Sequence, residues 1–143
     1  MNKLYLILFI LSVSIPLFMF HIYWFWGGNF GLVFTNYLKV KKNKKSKTLR
    51  RYKILIFAIL LAFIIVFNIS QIGLYFDIEN ALFNFWANRV IAIAFLYRSL
   101  GNFKHFGFTK TFKKSAFANL DTWVYSPIFL VLAICQYYVS IIE

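Results

Sequence analysis

His21, Arg98, Asp121 and Tyr125 are the residues of this chain best suited to proton transfer or to holding an anion. Histidine changes protonation near neutral pH, so His21 could serve as general base or acid if Asp121 or Tyr125 orients its ring. Arg98 offers a planar fork of donors to a carboxylate or phosphate. Asp121 stands at a matching depth as a counter-charge. Structural roles compete with these. A backbone or tyrosine hydrogen bond could simply fix the His21 tautomer, and Asp121 could cap the last helix.

A second polar set consists of Asn68, Gln71, Asn84, Asn88, Arg89 and Gln136, each interrupting an apolar run. An arginine in the middle of a bilayer costs about 2.5–3.5 kcal/mol on insertion scales. Arg89 therefore needs acceptors, either the neighbouring amides and carbonyls or a captured anionic group.

Other chemistries lack their parts. Cys135 is the single cysteine, so an intrachain disulfide is excluded, and with only two histidines the chain offers no metal-ligand set; no metal and no cofactor is expected. Cys135 has no base at its depth and reads as a buried inert thiol. The four acids are too dispersed for a paired-carboxylate site. Gly27-Gly28-Asn29-Phe30-Gly31 is a turn signal at the end of an apolar run, not a phosphate loop. Nucleic-acid binding would rest on charge alone and is not expected.

The elements that must position these residues follow from composition. With 62% hydrophobic, 22% aromatic and only 14% charged residues, the chain reads as a membrane protein. A hydrocarbon core of roughly 30 Å takes about twenty apolar residues. Four segments reach that length, about 4–26, 53–76, 80–100 and 122–142. Helices are the expected form, since an isolated strand leaves its backbone unpaired in lipid. The expected fold is all-α: an integral membrane four-helix bundle in one domain, 1–143, with a short interfacial amphipathic segment between helices 3 and 4.

That segment has Phe108, Phe112, Ala116 and Leu120 at helical spacing, with Lys110, Lys113 and Lys114 off the stripe. Pro127 would shorten the last span if the helix began there, so 122–126 should form an extra turn or pack irregularly. Ser14, Leu17, His21, Trp24 and Gly28 form one stripe that should face the bundle.

Charge gives the expected orientation. Lysines and arginines crowd the connection around 39–53 and the one around 98–114, whereas the opposite side carries only Lys3 with Asp77, Glu79 and Glu143. Both basic connections are expected in the cytoplasm and both termini outside, in the cell inner membrane. The run Lys39 to Lys53 has few apolar neighbours and reads as a solvated loop that fixes topology. The first span is expected to stay uncleaved, because no small-residue cleavage site follows it.

Two stretches carry a family resemblance. His21-Ile22-Tyr23-Trp24-Phe25-Trp26-Gly27-Gly28 with Gly31, and Arg98-Ser99-Leu100-Gly101-Asn102-Phe103 through Gly107-Phe108, Lys110, Phe117-Ala118-Asn119-Leu120-Asp121-Thr122 and Tyr125-Ser126-Pro127, resemble the bacterial domain-of-unknown-function 3995 family of small four-span membrane proteins. The chain departs from that pattern at Asn102, where an acid is usual, and in a first loop richer in lysine. The resemblance implies the four-span architecture and no activity.

Three functional readings remain open. The leading one is a non-catalytic module whose cytoplasmic face, built from His21, Trp24, Arg98, Lys104, Lys110, Asp121 and Tyr125, holds an anionic lipid head group or a segment of a partner protein. The second is an intramembrane enzyme acting on a lipid or quinone-like substrate through His21, Asp121 and Tyr125. The third is an accessory or immunity-type membrane protein.

Overall fold

The computed structural model describes residues 2–28, 44–73, 81–100 and 121–142, with 44–50, 81 and 121 described by backbone alone. Among the described residues there are four α-helices: α1 Lys3–Phe25, α2 Lys44–Ser70, α3 Ala81–Leu100 and α4 Ser126–Ile141, with a π turn Asp121–Tyr125 leading into α4. No strand occurs among the described residues. The fold is all-α, as expected. The interfacial segment expected between the last two helices lies outside the described residues.

Side-chain contacts fix the order as up-down-up-down. The end of α1 meets the start of α2 through His21 and Phe57. The end of α2 meets α3 through Gln71 and Asn88, and the end of α3 meets the start of α4 through Ser99 and Ser126. The closest backbone packing is between α3 and α4 and between α1 and α2, and α1 also packs on α4. The buried core runs through all four helices, with Ile7 and Ile10 from α1, Ile64 and Phe67 from α2, Ile91 and Phe95 from α3, and Phe129, Leu132 and Val139 from α4.

The outside of this bundle is apolar where a bundle in water would be charged. Leu8, Ile15, Met19, Ile56, Leu60, Phe63, Val90, Ile93, Val131 and Ile134 are all exposed. Segments Lys3–Phe25, Arg51–Ser70 and Thr122–Ile141 are long and apolar enough to cross a membrane. The expected third span is a helix of 20 residues, long enough by length alone. Asn84, Asn88, Arg89 and Arg98 dilute its apolar character, and three of these polar residues lie in its first half.

Two helix ends differ from the sequence expectation. α2 begins at Lys44, nine residues before the expected Lys53, so the cations from Lys44 onward ride on a helix and not in a loop. Lysine, arginine and leucine are good helix formers, and a helix already held by its apolar half extends without a new nucleation cost. The stretch before Pro127 is an added helical turn, one of the two expected alternatives, and its wide π geometry suits the place where Pro127 supplies no backbone N–H. Asp121 already lies in this π turn, and the N-cap position of α4 is Tyr125.

Gly27 and Gly28 end α1. Gly27 adopts φ 100°, its N–H donates to the Trp24 carbonyl at 3.1 Å, and the Gly28 N–H donates to the Tyr23 carbonyl at 3.0 Å. These bonds form a Schellman motif, which satisfies carbonyls that the helix leaves unpaired. The Tyr23 ring lies so close to Gly28 that a Cβ there would overlap it. Gly27→Ala should therefore cost about 1 kcal/mol from the left-handed backbone alone. Gly28→Ala should destabilise through the ring, and Tyr23→Ala should remove most of that second penalty. Thermal unfolding of the four purified variants, including the Gly28→Ala, Tyr23→Ala pair, checks both statements.

Candidate functional site

Two polar clusters lie at different heights in the bundle. The first is at the end where α1 and α3 finish and α2 and the last helix begin. The His21 Nδ1–H donates to the Leu17 carbonyl at 2.7 Å, four residues back along α1. This bond fixes the tautomer and leaves Nε2 as the acceptor nitrogen. The ring stacks on Phe57, with centroids 5.4 Å apart and planes 14° apart, and meets Trp24 edge-on at 5.3 Å. The expected stripe does face the bundle: Ser14 is fully buried, and Leu17, His21 and Trp24 are half-buried.

Arg98 comes to the same place from α3. Its charge acts on the His21 imidazole, and its guanidinium carbon sits 5.0 Å from the centre of the Phe129 ring. One residue further on, the Ser99 hydroxyl donates to the Ser126 carbonyl at 2.8 Å in a fully buried contact. That bond ties α3 to the junction between the π turn and α4. Tyr125, the last residue of the turn, is half-buried and packs against the apolar core. His21, Trp24, Arg98 and Tyr125 thus stand at one end of the bundle. Asp121 opens the π turn, but its side chain, together with Lys104 and Lys110, lies outside the described residues, as does the expected Arg98–Asp121 pair.

Phe57, Phe129, Ser99 and Ser126 also belong to this end, though none was among the candidate site residues. Small hydroxyl residues inside apolar helices often bond across to a neighbour, which is the signal Ser99 and Ser126 offered. The two phenylalanines are indistinguishable in sequence from the many others.

The second cluster is the amide set. Gln71 and Asn88 exchange a reciprocal pair of hydrogen bonds at 3.1 and 3.0 Å. Gln136 Nε2 donates to Asn88 Oδ1 at 2.5 Å and reaches Asn68 Oδ1 at 3.4 Å, while Asn68 Nδ2 donates to the Ile64 carbonyl at 2.8 Å. Asn68, Asn88 and Gln136 are completely buried. These bonds join α2 to α3 and α4, although those helices approach one another less closely than the main pairs do. Asn84 is buried in the same half of α3.

Arg89 does not join the amides. Among the described residues it makes ring contacts, with its guanidinium carbon 3.9 Å from the Phe85 centroid, 5.9 Å from Trp86 and 5.7 Å from Tyr137. Its buried Nε has no hydrogen-bond partner among the described residues. Cys135 is a half-buried free thiol packed against the core, and no cluster of metal-ligand type occurs among the described residues. A shallow depression of about 690 Å³ lies on the outward face of α1, lined by Pro16, Met19, Phe20 and Tyr23. None of these four belongs to either polar cluster.

A family model described as protein of unknown function (DUF3995) matches residues 15–136. That stretch starts midway along α1 and ends at Gln136, so it takes in both clusters. No curated protein and no solved structure matches the chain.

The amide bonds make a quantitative expectation. Asn88→Ala removes the shared acceptor and strands Gln71 and Gln136, which should cost about 1–2 kcal/mol. In the Asn88→Ala, Gln71→Ala pair the losses should fall short of additive, because the two side chains share their bonds. Equilibrium unfolding in detergent measures all three variants.

Proposed function

The chain belongs to the DUF3995 family of proteins of unknown function, and from that premise we propose that it is a multi-pass membrane module that binds an anionic lipid head group at its basic end. The observation that carries this reading is the convergence of Arg98 and His21 from separate helices within a frame of aromatic rings, Trp24, Phe57 and Phe129. A guanidinium offers a bidentate fork to a phosphate, and rings beside it exclude water and strengthen the charge-assisted bonds. His21 Nε2 can accept from a head-group hydroxyl, or donate to a phosphate when the ring is protonated.

The surroundings of that end favour anions. From Lys44 to Lys53 the chain carries Lys44, Lys45, Lys47, Arg50, Arg51 and Lys53, and the described helix α2 runs through all of them. Phe57, which stacks on His21, lies thirteen residues after Lys44, so this helix extends about 20 Å past the level of the imidazole. Basic residues at a cytoplasmic membrane surface contribute about 1 kcal/mol each towards anionic lipids. Lys104, Lys110, Asp121 and Tyr125 complete the proposed face. The rule that basic connections stay in the cytoplasm places this end inside and both termini outside, in the cell inner membrane.

Two measurements test the reading. Native mass spectrometry of the full chain, gently extracted and titrated with phosphatidylglycerol, should show a bound lipid whose affinity falls about five- to tenfold in Arg98→Gln. Unchanged affinity would remove Arg98 from the site. For orientation, single cysteines introduced at Lys44 and Glu79 in a Cys135→Ser background should differ in intact cells. An impermeant thiol reagent should label the Glu79 position and spare the Lys44 position, and the opposite pattern would reverse the orientation.

A further inference from the structure

Arg89 is placed where an arginine has a reason to find a phosphate. It lies on the first half of α3, away from Arg98, and rests on the face of Phe85 with Trp86 and Tyr137 to either side. Trp86 is 61% exposed and Tyr137 47% exposed, so the ring frame opens to the outside of the bundle. Ring contact satisfies the charge only in part, at about 0.5–2 kcal/mol. It leaves a guanidinium with five N–H donors, of which the buried Nε–H has no acceptor among the described residues.

Most of the amide oxygens behind it are already engaged. Asn88 Oδ1 already takes bonds from Gln71 and Gln136, Gln71 Oε1 takes one from Asn88, and Asn68 Oδ1 faces Gln136. Gln136 Oε1 is buried without a partner among the described residues, and Arg89 makes no bond to it. The guanidinium lies against the rings of Phe85, Trp86 and Tyr137.

Position along the helix completes the argument. Arg89 is eight residues, about 12 Å, from Ala81 at the start of α3. Helical side chains lean towards the helix N-terminus, and a long arginine stem spans much of the remaining depth. Tryptophan and tyrosine are the residues enriched at the level of lipid head groups.

We propose that Arg89, framed by Phe85, Trp86 and Tyr137, is a second anion site that takes a phosphate group, supplied by a phospholipid of the leaflet facing the start of α3. The fork of the guanidinium pairs with two phosphate oxygens, the rings shield that pair, and the acyl chains lie along the exposed apolar residues of α3 and α4. This site shares the membrane premise of the reading at the basic end but none of its residues.

The test uses the full chain in non-ionic detergent and counts bound lipid by native mass spectrometry. Phosphatidylglycerol is compared with diacylglycerol, which lacks the phosphate, and inorganic phosphate is added as competitor. Against an Arg98→Gln background, which isolates this site from the basic end, phosphatidylglycerol should still bind, about tenfold more tightly than diacylglycerol. Adding Arg89→Gln should abolish that preference. Arg89→Lys keeps the charge but loses the fork, and should weaken binding by about three- to tenfold. Circular dichroism of each variant establishes that the helices persist. Displacement by inorganic phosphate would assign the site to free phosphate, and resistance to it would assign the site to lipid; both support phosphate recognition. Equal binding of the two lipids, or undiminished phosphatidylglycerol binding in Arg89→Gln, would overturn it.

Discussion

One amide oxygen organises the half of the bundle away from the basic end. Asn88 Oδ1 accepts from Gln71 of the turn after α2 and from Gln136 of α4, while the Asn88 Nδ2 returns a bond to Gln71. A buried amide left without partners costs more than a made bond contributes, so the three side chains must meet, and their helices must hold one register to let them. Apolar contacts alone would not impose this, since isoleucine and phenylalanine surfaces tolerate sliding and rotation more readily than paired amides do. The oxygens of Asn88, Gln71 and Asn68 are taken up within the amide cluster, and the neighbouring arginine rests on the Phe85 ring.

At the other end, the same economy of partners shapes the backbone. Pro127 cannot donate to the carbonyl one turn earlier, and the chain answers with the π turn Asp121–Tyr125 ahead of it. The Ser126 carbonyl at that junction is bonded by Ser99, which locks α3 against the start of α4 beside Arg98. His21 is held comparably by its own helix, through Leu17, and by the ring of Phe57. Neither Arg98 nor His21 is positioned by a loop. Both sit on helices whose packing is set elsewhere in the core, which gives the proposed head-group site its rigidity.

Much of this was readable from residue types. The glycine pair after Trp26 announced the end of α1, and the Schellman motif there follows from the need for positive φ. The buried stripe through Ser14 and Leu17 followed from helical periodicity. Arg89 was less legible. Its sequence neighbours pointed to the amides, and nothing in the sequence distinguished a bond to Gln136 from a seat on Phe85. The helical state of the run from Lys44 to Arg50, ahead of the apolar segment, was also not legible, because a lysine run has good helix propensity but reads as loop by hydropathy.

The sequence by itself determined the helical class, the number of apolar segments, the asymmetry of charge between connections and the set of polar residues that would need partners. These are properties of single segments, governed by hydropathy and by the 3.6-residue period. Tertiary structure decided which partners those residues took: Asn88 with Gln71 and Gln136, Ser99 with the Ser126 backbone, His21 on Phe57 and Arg89 on Phe85. Such choices depend on how far each helix is rotated and displaced along its neighbours. That is fixed only when all four helices bury their apolar faces together and every enclosed polar group competes for the same few acceptors.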